Sequence, residues 1–96
     1  METIAERLKF IRNEKRISQS ELAQLLDITK QAIANVEVGR NNPSIDFIHK
    51  LIVHLNVNAN WLIAGVGQPF NPPKFEEVQD ELEAKVEQLL KKHHLI

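Results

Sequence analysis

The chain has 96 residues, 43% of them hydrophobic, and its 12 basic and 13 acidic residues give a formal net charge of −1. These values predict one small globular domain and exclude a disordered chain. The absence of cysteine excludes disulfides and thiolate metal sites, and a charge near zero argues against unselective binding to nucleic acid. No stretch approaches the roughly 20 apolar residues of a membrane span, and the first residues do not have the pattern of a signal peptide. We therefore expect a cytoplasmic protein without a membrane partner.

Two helices are predicted in the first quarter of the chain. Apolar residues recur at helical spacing over residues 2–15 and predict an amphipathic first helix. Ser18 and Glu21 then have the spacing of a capping box, in which each side chain accepts a hydrogen bond from the other residue's backbone N–H. Ile17 and Leu22 flank this box as a hydrophobic staple. Two independent signals therefore predict that a helix begins after Ser18.

The same start signals recur a few residues later. Thr29 is predicted as the N-cap of a third helix, which extends from about residue 30 to residue 37, and Gly39 ends it. Asp27 lies in the short turn that separates this helix from the second one. Two short helices joined by a tight turn form a helix-turn-helix motif.

Two more short helices and a longer one follow. Ser44 is predicted to cap a fourth helix, and Asn58 a fifth one in which Trp61 is a large core residue. The prolines of residues 67–73 rule out a continuous helix, so this segment is either a linker or a strap along the surface. Residues 74–92 contain strong helix formers with no Gly or Pro, which predicts a sixth helix. No strand pattern is present.

The third helix is predicted to have a polar outer face. Ala23 is small enough to lie where the second and third helices cross, and Ile33 points inward. Lys30, Gln31 and Asn35 are then directed outward. Gln and Asn pair with adenine and Lys reaches guanine or phosphate, so this face suits the major groove of DNA. The alternative is that these are ordinary solvated side chains.

Residues 4–65 resemble the lambda-repressor-like helix-turn-helix domain, the XRE type of the Cro and repressor proteins. The matching motifs are SQSELAQLL, ITKQAIANVEVGR, NPS and LNVNANWLIAG, which together extend over about two thirds of the chain. The resemblance implies an all-α fold with five helices in the DNA-binding domain, to which this chain adds a C-terminal helix. It also implies double-stranded DNA as the partner and a homodimer on a palindromic operator.

The resemblance assigns roles to individual residues. Gln19 matches a residue that contacts phosphate and braces the recognition helix, and Arg12 and Glu37 match a partly buried structural ion pair. Lys30, Gln31 and Asn35 match positions that contact bases, whereas Arg40 and Asn42 match a loop along the phosphate backbone. The predicted DNA-binding residues are Gln19, Thr29, Lys30, Gln31, Asn35, Arg40 and Asn42.

The chain departs from the family pattern at three positions. Asp27 and Asn56 stand where the family usually has glycine, and both residue types tolerate left-handed backbone angles better than most. Val38 stands where many members have a polar or basic residue, which removes a possible phosphate contact. Together with the net charge of −1, this predicts modest affinity for each monomer and a strong need for dimerisation.

The predicted domains are a helix-turn-helix domain over 1–66, a Pro-rich linker over 67–73 and a C-terminal helix over 74–96. The apolar residues of the last helix follow an eleven-residue period more closely than a heptad. We predict that the helix pairs with its copy in a second subunit, with folding back on its own domain as the alternative. The predicted dimerisation residues are Phe75, Val78, Leu82, Val86, Leu89 and Leu90.

Other functions were weighed against a DNA-binding repressor. In the second hypothesis the chain is an adaptor or antitoxin whose acidic last helix binds a basic protein partner. The four histidines do not cluster with acidic residues, so no metal site is predicted, and no cofactor is expected. An enzyme ranks third, because the chain has neither a nucleophile motif nor a Gly-rich phosphate loop.

Overall fold

A computed structural model of the chain describes residues 2–73 together with residues 85 and 86. These residues contain five helices and an isolated β-bridge but no strand, so the predicted all-α fold is confirmed for this part of the chain. None of these helices is long and apolar enough to cross a membrane. The helices are α1 (Ile4–Glu14), α2 (Gln19–Leu26), α3 (Lys30–Glu37), α4 (Ile45–Leu55) and α5 (Ala59–Ala64).

Each of these five helices begins at a side chain that accepts a hydrogen bond from its first turn. The predicted caps Ser18, Thr29, Ser44 and Asn58 are confirmed, and Thr3 caps α1. These contacts satisfy backbone N–H groups that have no partner inside a helix.

The predicted capping box at the start of α2 is present with both of its hydrogen bonds. The backbone N–H of Glu21 donates to the Ser18 hydroxyl at 3.0 Å, and the Ser18 N–H donates to the Glu21 carboxylate at 3.0 Å. Hydrogen bonds to the Glu21 carboxylate from the backbone N–H of Ser18, and then from its side chain, lower the pKa of this carboxyl. Because the pKa of Glu21 is lowered in the folded domain, these hydrogen bonds stabilise the fold at pH values above the pKa of Glu21 in the unfolded chain. Their stabilisation is lost as the pH falls through the pKa of Glu21 in the folded domain.

Several helix ends require a residue with left-handed backbone angles. Asp27 has φ 53° and Asn56 has φ 57°, which explains why these two residue types can replace glycine there. Gly39 and Gly65 have φ 79° and 75° at the ends of α3 and α5. Arg16, after α1, has φ 56°, a position that the sequence did not single out.

The core lies where α1, α2, α3 and the two later helices meet. Ala23 on α2 is buried, and Trp61 on α5 is buried against Phe10 with ring centroids 5.6 Å apart. The buried hydrophobic residues are Leu8, Ile11, Leu22, Ala23, Leu26, Ile33, Val36, Phe47, Leu51, Val57, Trp61 and Leu62.

Arg7 is a buried basic residue that ties α1 to the end of α5. Its Nε donates to the backbone oxygen of Leu62 at 2.7 Å, and its Nη2 donates to that of Ile63 at 3.0 Å. These carbonyls lie in the last turn of α5, where backbone oxygens have no partner within the helix. A cation is also favoured at the negative end of the helix dipole. Arg7 therefore acts as a side-chain cap for a six-residue helix.

The segment that follows α5 runs along the surface of the domain. The backbone N–H of Asn58 donates to the Pro69 oxygen at 2.9 Å, and that of Asn71 donates to the Asn56 oxygen at 2.9 Å. Between them, Phe70 packs against the core, with the ammonium of Lys15 4.4 Å from its ring centroid. Of the two alternatives for the Pro-rich segment, its first part has the geometry of a strap.

Most of the predicted sixth helix lies outside the described residues, and so do Phe75, Val78, Leu82, Leu89 and Leu90. Lys85 and Val86 are described, and both are helical and exposed. Val86 is 53% exposed, which leaves its side chain accessible for the predicted pairing.

Arg16→Gly should stabilise the domain by about 1 kcal/mol, because glycine adopts the left-handed angles of this position without the steric cost that arginine bears. Glu14→Gly is the matched control, since Glu14 is the last residue of α1 and glycine lowers stability in a helix. Urea unfolding of both variants measures the effect. If both substitutions destabilise the domain, the strain assigned to Arg16 is absent.

Candidate nucleic-acid interface

The outer face of α3 is polar and its inner face is buried. Ile33 and Val36 are buried in the core, and the inward position predicted for Ile33 is confirmed. Lys30 and Gln31 are exposed, and Asn35, one turn after Gln31, is half-buried. The structure therefore places Lys30, Gln31 and Asn35 on one accessible side of a short helix, in the arrangement that the sequence predicted for a groove-binding face.

The side chains on this face are hydrogen-bonded to one another. The Nε2 of Gln31 donates to the Oδ1 of Asn35 at 2.9 Å. A second donor, the Nη1 of Arg40, approaches the same oxygen at 3.2 Å. The structure thus brings together two residues predicted to contact bases and one predicted to contact phosphate, with the Asn35 amide oxygen at their centre.

The end of α3 places Arg40 beside Asn35. Gly39 has φ 79°, and its N–H donates to the Val36 oxygen at 3.0 Å. The N–H of Arg40 then donates to the backbone oxygen of Asn35 at 2.9 Å. This pair of bonds around a left-handed glycine is a Schellman motif. It ties the backbone of Arg40 to the same residue that its side chain contacts.

The C-terminal end of α3 is held by the carboxylate of Glu37, which is 3% exposed. Its two oxygens accept from the Nε and Nη2 of Arg12 on α1 at 2.9 and 3.0 Å. The Arg12 Nη1 also donates to the Ile17 oxygen at 3.1 Å, just before α2 begins. The hydrogen bond to Glu37 is the main cause that raises the pKa of Arg12. This bidentate pair therefore joins α1, the start of α2 and α3.

Gln19 joins the same cluster from the first turn of α2. Its Nε2 donates to the Oε1 of Glu37 at 3.3 Å. Because a carboxylate only accepts hydrogen bonds, this contact fixes the amide nitrogen of Gln19 toward α3. The structure therefore shows the contact by which Gln19 braces α3, while its half-buried side chain stays accessible at the edge of the same surface.

The remaining predicted site residues border this surface. Thr29 precedes Lys30, and its hydroxyl oxygen accepts from the Ala32 N–H at 3.1 Å, so its main contact within the domain is the cap of α3. Asn42 is exposed in the loop after α3, two residues beyond Arg40. Val38, at the C-cap of α3, is 69% exposed, a solvated apolar side chain next to polar ones.

Sequence reasoning missed the hydrogen-bonded chain from Gln31 through Asn35 to Arg40. One part was detectable, because glutamine and asparagine four residues apart on a helix can bond to each other. The Arg40 contact was not, since it depends on the left-handed turn at Gly39 and on the rotamer of a long side chain. Arg7 was missed for a related reason, because its partners are backbone oxygens more than fifty residues away.

Comparison with known proteins places this geometry in context. A family model described as Helix-turn-helix matches residues 8–62, which include all of α2 and α3. The SPbeta prophage-derived uncharacterized HTH-type transcriptional regulator YonR of Bacillus subtilis (strain 168) is 35% identical over 66 residues, which are 69% of this chain and 61% of YonR.

Two further relatives match the same part of the chain. The HTH-type transcriptional regulator SinR of Bacillus subtilis (strain 168) is 36% identical over 61 residues, 62% of this chain and 55% of SinR. The immunity repressor protein of Bacillus phage phi105 is 26% identical over 61 residues, 64% of this chain and 42% of the repressor. The matched segment thus spans about half the length of these curated relatives.

Glu37→Gln should destabilise the domain by about 3 kcal/mol, because it leaves the Arg12 guanidinium without its counter-charge in a partly buried site. Asp46→Asn is the matched control. Asp46 pairs with Lys50 at 3.2 Å, but its side chain is 71% exposed, so its loss should cost at most about 1 kcal/mol. Chemical unfolding compares the two variants. Equal, small losses would show that the Arg12–Glu37 pair does not hold α3 in place.

Proposed function

Since the chain belongs to the helix-turn-helix family of the XRE type, we propose that it is a sequence-specific DNA-binding regulator of transcription. The observation that supports this most directly is the outer face of α3. It presents an ammonium and two amides on a helix whose C-terminal end is fixed by the partly buried Arg12–Glu37 ion pair. Side chains of α1 and α2 supply the donors that hold Glu37, the last residue of this helix.

In the proposed complex α3 lies in the major groove. The groove is about 12 Å wide and admits one helix, and the N-terminal part of a recognition helix meets the base edges. Lys30 and Gln31 are the first two residues of α3, and Asn35 follows one turn later on the same side. These three side chains would contact bases, with amides matched to adenine and the ammonium to guanine or phosphate.

The residues around α3 would contact the phosphate backbone. Gln19 and Thr29 lie at the start of α2 and just before α3, and Arg40 and Asn42 lie in the loop beyond it. Contacts of this kind position a protein on the duplex but do not select the sequence. With a net charge of −1, few basic groups are available for phosphate, so affinity must come from more than one domain on the same DNA.

We further propose a homodimeric repressor on a palindromic operator. Two α3 helices in successive major grooves would lie about 34 Å apart, one turn of the duplex. The C-terminal segment supplies apolar residues for pairing, of which Val86 is exposed. One relative is named an immunity repressor and others HTH-type regulators, and none is named an enzyme. An operator that overlaps a promoter would be blocked when the dimer binds.

Incubation of the protein with sheared DNA from its source, followed by sequencing of the retained fragments, should recover a palindromic motif. Gln31→Ala should lose this enrichment, because it removes an amide from the face proposed to contact bases. Gln24→Ala is the matched control, since Gln24 is an exposed glutamine on α2 and should retain the motif.

The experiment also decides between the two functions. No enrichment by the unaltered protein at low salt, where attraction to phosphate is strongest, would contradict the proposed function. It would favour the adaptor or antitoxin hypothesis. A protein partner that binds Gln31→Ala as well as the unaltered chain would then place the functional surface away from the outer face of α3.

Removal of residues 74–96 should convert the dimer into a monomer and weaken operator binding sharply, because both half-sites are no longer held together. Sedimentation velocity measures the first effect and a binding titration the second. A truncated chain that still sediments as a dimer would exclude the C-terminal helix as the dimerisation element.

A further inference from the structure

We propose that Arg40 is a specificity-determining residue that acts through Asn35 and Gln31, rather than a phosphate contact alone. This inference rests on the proposed function, because it concerns which bases the outer face of α3 selects. Its basis is a feature of the structure that needs no DNA: a chain of hydrogen bonds that sets which end of each amide faces outward.

The direction of the two amides follows from the chemistry of the guanidinium. A guanidinium has five N–H donors and no acceptor, so the Asn35 atom that lies 3.2 Å from the Arg40 Nη1 must be the amide oxygen. That same oxygen lies 2.9 Å from the amide of Gln31. An oxygen accepts only from a donor, so the Gln31 atom beside it must be the amide nitrogen. Arg40 therefore fixes the orientation of both amides.

The fixed orientation determines the pattern presented to a groove. With its nitrogen turned toward Asn35, Gln31 has its acceptor Oε1 available. Asn35, whose oxygen is already occupied by two donors, has its Nδ2 donors available. An outward acceptor matches the exocyclic amino group of adenine or cytosine, and an outward donor matches purine N7, guanine O6 or thymine O4. Each amide, taken alone, can rotate by 180° and match either class.

The backbone holds the guanidinium where it can exert this effect. The Schellman bonds at the end of α3 tie the N–H of Arg40 to the Asn35 backbone oxygen at 2.9 Å. Both the backbone and the side chain of Arg40 are therefore hydrogen-bonded to Asn35. Gly39 makes this possible by adopting φ 79°.

A contact with phosphate and a role in orientation have different consequences for binding. Loss of a phosphate contact weakens binding to all sequences alike and lowers the slope of log K against log salt by about 1. Loss of the orienting donor frees both amides to rotate. Discrimination should then fall at the base pairs that Gln31 and Asn35 contact and nowhere else. The two roles are therefore separable by experiment.

The test is to select operators from a randomised duplex library with the full-length chain and its variants, and to measure salt dependence on the best site. Arg40→Ala should lose base preference at two neighbouring positions, by about 5-fold or more, because either end of each amide can then face the groove. Arg40→Lys should retain the preference, since an ammonium also only donates. Asn42→Ala is the control, which should weaken binding without changing preference.

The side-chain amides give a second measurement on the free protein. In NMR spectra, Arg40→Ala should shift the Gln31 Nε2 and Asn35 Nδ2 signals, because the two amides can then bond in either direction, whereas Arg40→Lys should leave them nearly unchanged. Unchanged amide signals in Arg40→Ala, or an unchanged base preference with a lower salt slope, would overturn the role assigned to Arg40. If the unaltered protein selects no sequence at all, the proposed function fails instead, and the NMR arm still decides whether Arg40 orients the amides.

Discussion

The fold of the candidate interface depends on one buried carboxylate. Glu37 is the last residue of α3, and three donors from α1 and α2 converge on its two oxygens. A buried charge is stable only when it is paired and hydrogen-bonded, so Glu37 can occupy this position only while Arg12 is in place. Hydrophobic contacts allow neighbouring helices to slide, but a bidentate pair has one geometry. The polar cluster and the buried side chains Ile33 and Val36 therefore together determine which side chains of α3 face outward.

The chain just beyond the same end of this helix is fixed by different means. Beyond Glu37 the chain enters a Schellman motif, and the left-handed glycine turns Arg40 back toward Asn35. The hydrogen bonds at Glu37 position the whole helix, whereas the contact between Arg40 and Asn35 positions side chains on its surface. Both use an arginine as an obligatory donor, since a guanidinium determines which end of its partner must face it. Rigidity at both levels reduces the entropy that must be lost when the face is ordered against a ligand.

Local signals predicted most of the helix starts, and long-range contacts account for what they missed. Capping residues act within four positions, so Ser18, Thr29, Ser44 and Asn58 could be identified from spacing alone. The outward placement of Lys30 and Gln31 followed from helical periodicity. Arg7 could not be placed, because its carbonyl partners come from the far end of the domain. The orientation of the Asn35 amide could not be predicted either, because it depends on the position of the Arg40 side chain, which the sequence does not give.

Under the proposed function, the orientation of these amides would influence how a nearly neutral protein selects a DNA sequence. Under the proposed function, a net charge of −1 would limit the general attraction to phosphate, and discrimination between sequences would rest on the polar groups of α3. A glutamine or asparagine side chain can recognise more than one base, because rotation of its amide exchanges the positions of the donor and the acceptor. A neighbour that only donates removes this ambiguity before any ligand arrives. Under the proposal made for Arg40, the base preference of this surface would belong to the hydrogen-bonded set of Gln31, Asn35 and Arg40.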